Sequence, residues 1–156
     1  IGQGQAIKEG INLSKKEYIW WIPGDDNLES EEIVKMLRGY RNFDFILTKH
    51  IIERSFFRKF VSEGFTFLVN ILFNKKIDYY NCVHLIKNDI AKQIKMKSVS
   101  SFWGAEITLK LISLSKKYKI EILKLNERKK GKSNIFNFRQ LFLTLIDLVK
   151  YRLNIL

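Results

Sequence analysis

The spacing of apolar and polar positions predicts helices and strands that alternate along the chain. Helical segments carry apolar residues three and four positions apart, and short β-prone runs stand between them. The predicted helices cover 4–14, 29–38, 56–72, 89–94, 103–118 and 136–156, and the predicted strands cover 18–22, 43–48, 83–86 and 119–125. Because helices that alternate with strands pack in layers, we expect an α/β fold. No repeat or linker divides the chain, so we expect one domain over 1–135, followed by an amphipathic helix at 136–156.

The same spacing predicts which side chains face the core. In the helix predicted at 29–38, Ile33, Val34 and Leu37 share one face. Most aromatic residues stand in apolar runs, as Phe65 and Phe67 do, and are therefore expected in the core. This placement argues against a nucleic-acid-binding module, which would need aromatic side chains on a basic surface.

Composition and charge restrict the function. The chain has 156 residues, of which 46% are hydrophobic and 13% aromatic, enough for a packed core. Its formal net charge of +12 indicates an anionic partner (nucleic acid, an acidic membrane surface or a phosphorylated substrate), unless the charge serves solubility alone. One cysteine and two histidines exclude an internal disulfide, a multi-cysteine metal site and a zinc site of histidine alone. So few cysteines fit a reducing cytoplasm.

Two carboxylates follow the first predicted strand. Asp25 and Asp26 come just after 18–22, with Asn27 beside them. In an open α/β sheet, ligands bind outside the carboxyl ends of the strands. Carboxylate oxygens suit Mg²⁺ or Mn²⁺ that carries a diphosphate. The alternative is a solvated turn before a helix whose N-terminus favours acidic residues.

Two basic segments are candidates for binding phosphate. Arg54, Arg58 and Ser62 stand four residues apart, so on a helix they share one face and could clamp a phosphate. The second segment is a loop in which a glycine permits a tight turn, and its candidate residues are Arg128, Lys132 and Ser133. That loop lacks the first glycine of a P-loop. For both segments the alternative is an ordinary solvated surface.

Asp78 and Glu106 are the remaining carboxylates with a candidate role. Asp78 precedes two tyrosines, and in such a place an aspartate is more often a turn residue than a catalyst. Glu106 lies among apolar residues near the start of the helix predicted at 103–118, so it is expected to face partly inward. A buried carboxylate needs a partner or a function. The alternative for Glu106 is an ordinary acidic residue at a helix start.

Taken in order, these motifs resemble the family 2 glycosyltransferases of the GT-A fold, in the branch that transfers sugars to polyprenyl phosphates. The resemblance covers nearly the whole chain and implies a Rossmann-like nucleotide-sugar transferase fold. Its elements are a glycine-containing helix start at 2–10, the acidic segment 22–27 in place of an Asp-x-Asp motif, the arginine-containing segment 54–62, the segment 78–87, a glutamate at 106 and an Arg-x-x-Gly-x-Ser loop at 128–133.

The resemblance implies metal-assisted transfer of a hexose from a nucleotide-sugar donor to a polyprenyl phosphate or related acceptor. It assigns Asp25, Asp78 and Glu106 to catalysis. It assigns Asp25, Asp26 and Asn27 to the donor and metal, with Asp25 and Asp26 as ligands of Mg²⁺ or Mn²⁺. The implied acceptor-phosphate residues are Arg54, Arg58, Ser62, Arg128, Lys132 and Ser133. The enzyme would be cytoplasmic and peripheral on the anionic inner face of the cell membrane, with no nucleic-acid partner.

The chain also departs from the family pattern. Pro23 stands where the first aspartate of the metal motif would be, and Cys82 stands where relatives often carry glycine. The family's first strand, which helps to hold the nucleotide base, has no counterpart, so we expect an N-terminally incomplete GT-A fold. The alternatives are a non-catalytic fragment derived from a transferase and a basic nucleic-acid-binding module.

The helix predicted at 136–156 carries a broad apolar stripe from Phe138 to Leu153, with cations beside it. Arg139, Asp147 and Lys150 interrupt the stripe, and the chain has no run of about 18 apolar residues. We therefore expect this helix to lie in a membrane interface and not to cross the bilayer. The alternative is a helix packed on the domain.

Overall fold

The computed structural model describes residues 2–22, 28–51, 56–98, 100–114, 116–126 and 138–154. These residues contain six α-helices and four β-strands. The helices are α1 Gln3–Leu13, α2 Ser30–Leu37, α3 Phe56–Phe73, α4 Asn88–Gln93, α5 Trp103–Ser113 and α6 Phe138–Arg152, and a 3₁₀ turn covers Tyr40–Asn42. The strands are β1 Tyr18–Trp20, β2 Phe45–Ile51, β3 Leu85–Lys87 and β4 Tyr118–Lys124. Every helix and strand that the apolar pattern predicts is confirmed, with its bounds shifted.

The four strands form one mixed sheet in the order β1-β3-β2-β4. β3 is antiparallel to both β1 and β2, whereas β2 and β4 pair in parallel, from Phe45 opposite Tyr118 to Ile51 opposite Lys124. β1, β2 and β4 therefore run in the same direction, and their carboxyl ends lie at one edge of the sheet, which we call the carboxyl edge. The expected α/β layering is confirmed as a mixed α/β fold on a four-stranded mixed sheet.

Helices cover both faces of the sheet because strand side chains alternate between those faces. Phe45 and Leu47 of β2 join an apolar cluster with α1, α4 and α5, and Ile46 joins a second cluster with Met36 of α2. A third cluster, which includes Val69, unites α3, α5 and α6. Since burying apolar surface contributes about 25 cal/mol per Å², these three clusters supply the main stabilisation.

The inward face predicted for α2 is confirmed at Ile33, which packs partly buried against the cluster of Met36, and is wrong at its other two positions. Its fully buried side chain is Met36, whereas Val34 and Leu37 are 55% and 42% exposed. The helix is short and packs on β4, so only one of its side chains is completely enclosed. The apolar pattern located the helix, but the partner strand determines which side of it is buried.

Two further expectations about side chains and bounds are wrong. Phe67 is 66% exposed, because α3 turns Thr66 and Val69 toward the protein instead. The helix predicted at 103–118 is too long, since α5 ends earlier and Tyr118 opens β4. The ring of Tyr118 stacks on that of Phe45 with centroids 4.9 Å apart, a contact that the strand conformation makes possible.

α6 packs on the rest of the protein and also presents an apolar outer face. Its buried residues include Asp147 and Leu148. Leu148 joins the cluster of α3 and α5, and the Asp147 carboxylate accepts a 2.7 Å hydrogen bond from the Ser98 hydroxyl. On the outer face, Phe138 and Phe142 are 86% and 64% exposed. None of the helices in the described ranges is long and apolar enough to span a bilayer.

Candidate functional site

Residues that border the three predicted metal and phosphate segments lie together at the carboxyl edge. The ranges 23–27, 52–55 and 127–137, which hold all or part of each segment, lie outside the described residues. Leu28, directly after 23–27, forms a β-bridge with Leu125, which comes shortly before 127–137. The N–H of Leu125 donates a 3.0 Å hydrogen bond to the carbonyl of Ile51, which directly precedes 52–55. The Asn126 amide also donates to the Glu29 carboxylate at 2.8 Å, so the described residues that border the three segments lie in one small area.

The predicted site residues fall into two groups. Those outside the described residues are Asp25, Asp26, Asn27, Arg54, Arg128, Lys132 and Ser133. Those within the described residues are Arg58, Ser62, Asp78 and Glu106. Across the described ranges, no group of three or more His, Cys, Asp or Glu side chains could hold a metal ion. The metal ligands therefore stay a prediction.

Asp78 lies at the carboxyl edge, in the loop between α3 and β3. Its exposed carboxylate pairs with the Lys49 ammonium, near the end of β2, at 2.6 Å. The neighbouring Tyr79 ring lies 5.6 Å from the His50 ring, measured between centroids. His50 in turn lies 2.8 Å from the Thr48 hydroxyl, which also bonds to the backbone of the loop before β3. An exposed ion pair contributes only about 0–1 kcal/mol, so a ligand could displace Lys49 from Asp78 at little cost.

The loop before β3 places a histidine in the core, next to the carboxyl edge. The Nε2 atom of His84 lies 2.8 Å from the Thr108 hydroxyl and 3.2 Å from the Cys82 thiol. We assign the hydrogen to Nε2, which then donates to Thr108, because the Thr108 hydroxyl directs its own proton to a backbone carbonyl, such as that of Tyr80 at 3.0 Å. Nδ1 is then a bare acceptor, and it has no hydrogen-bond partner among the described residues. The imidazole centroid lies 4.9 Å from that of the Trp21 ring.

Burial keeps this cluster uncharged. It lowers the pKa of His84 to about 3, and the nearby His50 acts in the same direction. Burial also raises the pKa of the Cys82 thiol to about 11. Because a reactive cysteine needs a thiolate, Cys82 and His84 do not form a nucleophile and base at neutral pH. Instead they fasten the loop before β3 to Thr108 of α5.

Sequence reasoning gave His84 no role in this cluster. The available signal was a polar residue between Val83 and Leu85, inside an apolar strand pattern. The same loop and α5 also approach closely at Gly104. If this residue had a Cβ atom, that atom would lie 2.8 Å from the side-chain oxygen of Asn81. Glycine at this position therefore allows the close approach of α5.

On α3, Arg58 and Ser62 share the side of the helix that faces the protein. Both are half-buried, and Thr66 and Val69 continue the same side as buried residues. The solvent side of the helix is apolar instead, with Phe60 66% exposed. Arg58 and Ser62 therefore lie at the boundary of the core and not on an ordinary solvated surface.

Glu106 lies on α5 with a completely buried carboxylate. It accepts hydrogen bonds from the backbone N–H groups of Lys97 at 3.0 Å and Ser98 at 2.8 Å, and it pairs with the Lys110 ammonium. These partners fasten the segment after α4 to α5, and they account for the burial of the carboxylate by structure alone. They do not include Asp78 or any other residue of the carboxyl edge.

The structure thus brings Asp78 and the borders of the three segments to one edge, and it leaves Glu106 apart from them. No protein-family model and no curated protein matches this chain. The geometry of the carboxyl edge and the sequence pattern therefore carry the functional argument.

Proposed function

We propose that this chain is part of a GT-A glycosyltransferase that moves a hexose from a nucleotide sugar to a polyprenyl phosphate or a related acceptor. The observation that carries the proposal is the carboxyl edge. There Leu28, Ile51 and Leu125 adjoin one acidic segment and two basic segments that are far apart in sequence. A reaction between a diphosphate donor and a phosphate acceptor needs metal ligands and cations close together, and segments that start or end at one edge of the sheet could supply both.

The acidic segment would hold the metal and the donor. Asp25 and Asp26 supply carboxylates and Asn27 an amide, and such oxygen donors fit Mg²⁺ or Mn²⁺. The bound ion would neutralise the departing diphosphate. Asp78, exposed beside Lys49 at the same edge, is a described carboxylate that could contact the donor.

The basic segments would orient the acceptor phosphate. That phosphate is already anionic, so it can attack the anomeric carbon without a strong general base when it is held in position. Arg58 and Ser62 would hold it from the inner side of α3. A guanidinium at the core boundary has fewer rotamers to lose, which strengthens such a contact. The remaining residues of this proposed set are Arg54, Arg128, Lys132 and Ser133.

A lipid acceptor requires contact with a membrane, and two neighbouring helices supply an apolar surface for it. α3 and α6 share an apolar cluster. Their outward phenylalanines are all more than half exposed, namely Phe56, Phe57, Phe60, Phe67, Phe138 and Phe142. Large exposed apolar side chains on neighbouring helices favour an interaction site, and the net charge of +12 favours an anionic bilayer. The proposal therefore includes peripheral binding at the inner face of the cell membrane.

The exposed phenylalanines also fit the alternative of a nucleic-acid-binding module, since bases stack on aromatic rings. The outward side of α3 is mostly apolar, however, and its cation Lys59 has Glu63 as a partner at 3.9 Å. This composition favours lipid over a polyanion. A non-catalytic fragment derived from a transferase would bind membranes in the same way but would show no turnover.

An acceptor-kinetics assay tests the proposal. The protein is incubated with a polyprenyl phosphate, a panel of nucleotide sugars and Mn²⁺, and Arg58→Gln is compared with Lys59→Gln. We expect Arg58→Gln to lower kcat/KM for the acceptor ten- to a hundredfold, because a charge-assisted hydrogen bond contributes about 1.5–3 kcal/mol. The KM for the donor should stay unchanged.

Lys59→Gln is the matched control, because it removes the same charge one residue away at an exposed position. Its acceptor kinetics should resemble those of the unmodified protein. Equal acceptor kinetics in the two variants would reject the role of Arg58. Absence of transfer by the unmodified protein from every donor would favour the non-catalytic alternative.

A further inference from the structure

A groove lies at the edge of the sheet opposite the carboxyl edge. α1, α4 and the segment after α4 form it, and this open groove has a volume of about 350 Å³. α1 precedes the start of β1, and α4 follows the end of β3, which pairs antiparallel with β1. The end of α1 and the start of α4, which border the groove, therefore lie at the other end of these strands from the candidate site. Its volume falls within the range of small-molecule sites, about 300–1,000 Å³.

The groove is lined by basic side chains without acidic partners. Four exposed lysines contribute to its lining, namely Lys8, Lys92, Lys95 and Lys97. In the described part of the chain, none of them forms an ion pair. Two acids of the same helices have other partners: Glu9 accepts from the Gln5 amide at 2.9 Å, and Asp89 accepts from the N–H of Ile90 at 2.8 Å. The four lysines of the groove thus have no acidic side chain within ion-pair distance among the described residues.

The other lining residues are apolar. Ile11, Ile94 and Met96 line the groove as buried residues. A ligand that matches the whole lining would combine anionic groups with an apolar or aromatic part. Lysine ammonium groups bind phosphate as point charges, so phosphate is the anion that this chemistry favours.

The segment that carries two of the lysines is fixed from inside the protein. The buried Glu106 carboxylate holds the N–H of Lys97 at 3.0 Å, and the Lys110 ammonium donates to the Lys95 carbonyl at 2.5 Å. On the other side, the Ser98 hydroxyl binds Asp147 of α6 at 2.7 Å. Because this backbone is ordered before any ligand arrives, binding at the groove loses less conformational entropy.

We propose that this groove binds a soluble phosphorylated small molecule, with its phosphates among the four lysines and its apolar part against Ile94 and Met96. The volume of the groove suits a small molecule. Since the end of α1 and the start of α4 lie away from the carboxyl edge, the groove is a binding site separate from the candidate site. The inference rests on the groove alone and does not depend on the transferase proposal.

Calorimetric titration with ATP in metal-chelated buffer tests the inference. ATP combines phosphates with an aromatic base, and removal of metal prevents metal-dependent binding at the candidate site. We expect Lys92→Gln/Lys95→Gln to weaken ATP binding at least tenfold and Lys92→Arg/Lys95→Arg to retain it. Lys75→Gln/Lys76→Gln removes the same charge elsewhere and should bind ATP as the unmodified protein does. Equal weakening by both glutamine pairs would overturn the inference.

The two methionines of the chain can serve as NMR probes of where ATP binds. Met96 lines the groove, whereas Met36 belongs to the cluster between α2 and the sheet. With ¹³C-labelled methionine methyl groups, ATP should shift the NMR signal of Met96 and leave that of Met36 unchanged. A shift of Met36 alone, or no saturable binding at millimolar ATP, would overturn the inference. A third result would also overturn the inference: the unmodified protein binds phosphatidylserine vesicles but not ATP, and the Lys92→Gln/Lys95→Gln variant no longer binds the vesicles. That result would assign these lysines to a membrane.

Discussion

Protonation of His84 should destabilise the protein in mild acid. Burial lowers the pKa of His84 to about 3 in the folded state, whereas an unfolded histidine titrates near about 6.5. Between these values the unfolded chain binds a proton that the folded protein excludes. The contribution of the neutral imidazole to stability is therefore fully present above pH 6.5, and it is lost progressively as the pH falls toward 3.

The size of this effect follows from the same two pKa values. At pH 5 the solution is about 1.5 units below the pKa of the unfolded state, and each unit corresponds to about 1.36 kcal/mol. His84 alone should thus lower the free energy of unfolding by about 2 kcal/mol between pH 7.5 and pH 5. The structure explains why the folded state resists protonation: no described hydrogen-bond acceptor contacts Nδ1, and the ring lies against Trp21. About 2 kcal/mol is a large fraction of a typical total of 5–15 kcal/mol.

Urea unfolding, followed by tryptophan fluorescence at pH 7.5 and pH 5, measures this loss. His84→Gln removes the titrating group and keeps a hydrogen-bond donor for Thr108. We expect this variant to be less stable at pH 7.5 but to lose about 2 kcal/mol less than the unmodified protein on acidification. His50→Gln is the comparison at the only other histidine; because burial is the main cause of the low pKa of His84, this variant should lose nearly as much stability on acidification as the unmodified protein. If His84→Gln lost as much stability on acidification as the unmodified protein, the linkage argument would fail.

Two further predictions concern other features of the fold. Glu106→Ala should lower the free energy of unfolding by about 3–5 kcal/mol, because it leaves the Lys110 ammonium and two backbone N–H groups without their partner. Glu106→Gln, which keeps an acceptor oxygen, should cost less, and equal urea midpoints for both variants would contradict the structural role. Phe142→Ser should weaken sedimentation with anionic vesicles about tenfold or more, since burial of one such ring contributes about 1.5–3 kcal/mol. Val34→Ser on α2 is its exposed control, and equal binding by the two variants would remove the outer face of α6 from membrane contact.

The helices and strands could be predicted because their signal is local. A period near 3.6 identified α3 and α6, and runs of bulky residues identified β1 and β2. The position of β3 between β1 and β2, in the opposite direction, had no such signal. A three-residue strand is too short to show by its own pattern which neighbours it pairs with.

The candidate site was predictable to the extent that it follows strand direction. Asp25 and Asp26 come shortly after β1 in the sequence, so the apolar pattern alone predicts that they follow a strand end. The surroundings of Glu106 and His84 were not predictable. Each of these buried polar groups is satisfied by partners outside its own element, such as Lys97 for Glu106 and Thr108 for His84. Sequence spacing does not encode such contacts.

The parallel pairing of β2 with β4 also bears on the order of folding. β4 emerges from the ribosome only after α3, β3, α4 and α5, so the longest ladder of the sheet closes late. To pair strands so distant in sequence, the chain must first close a long loop and lose conformational entropy before any contact forms. Such pairing is therefore slow. Until β4 pairs with β2, one edge of β2 has unpaired backbone groups, and the apolar side chains of Phe45, Ile46 and Leu47 are incompletely buried. A nascent chain stalled before Tyr118 should therefore aggregate readily and bind chaperones, whereas completion of the ladder should end that exposure.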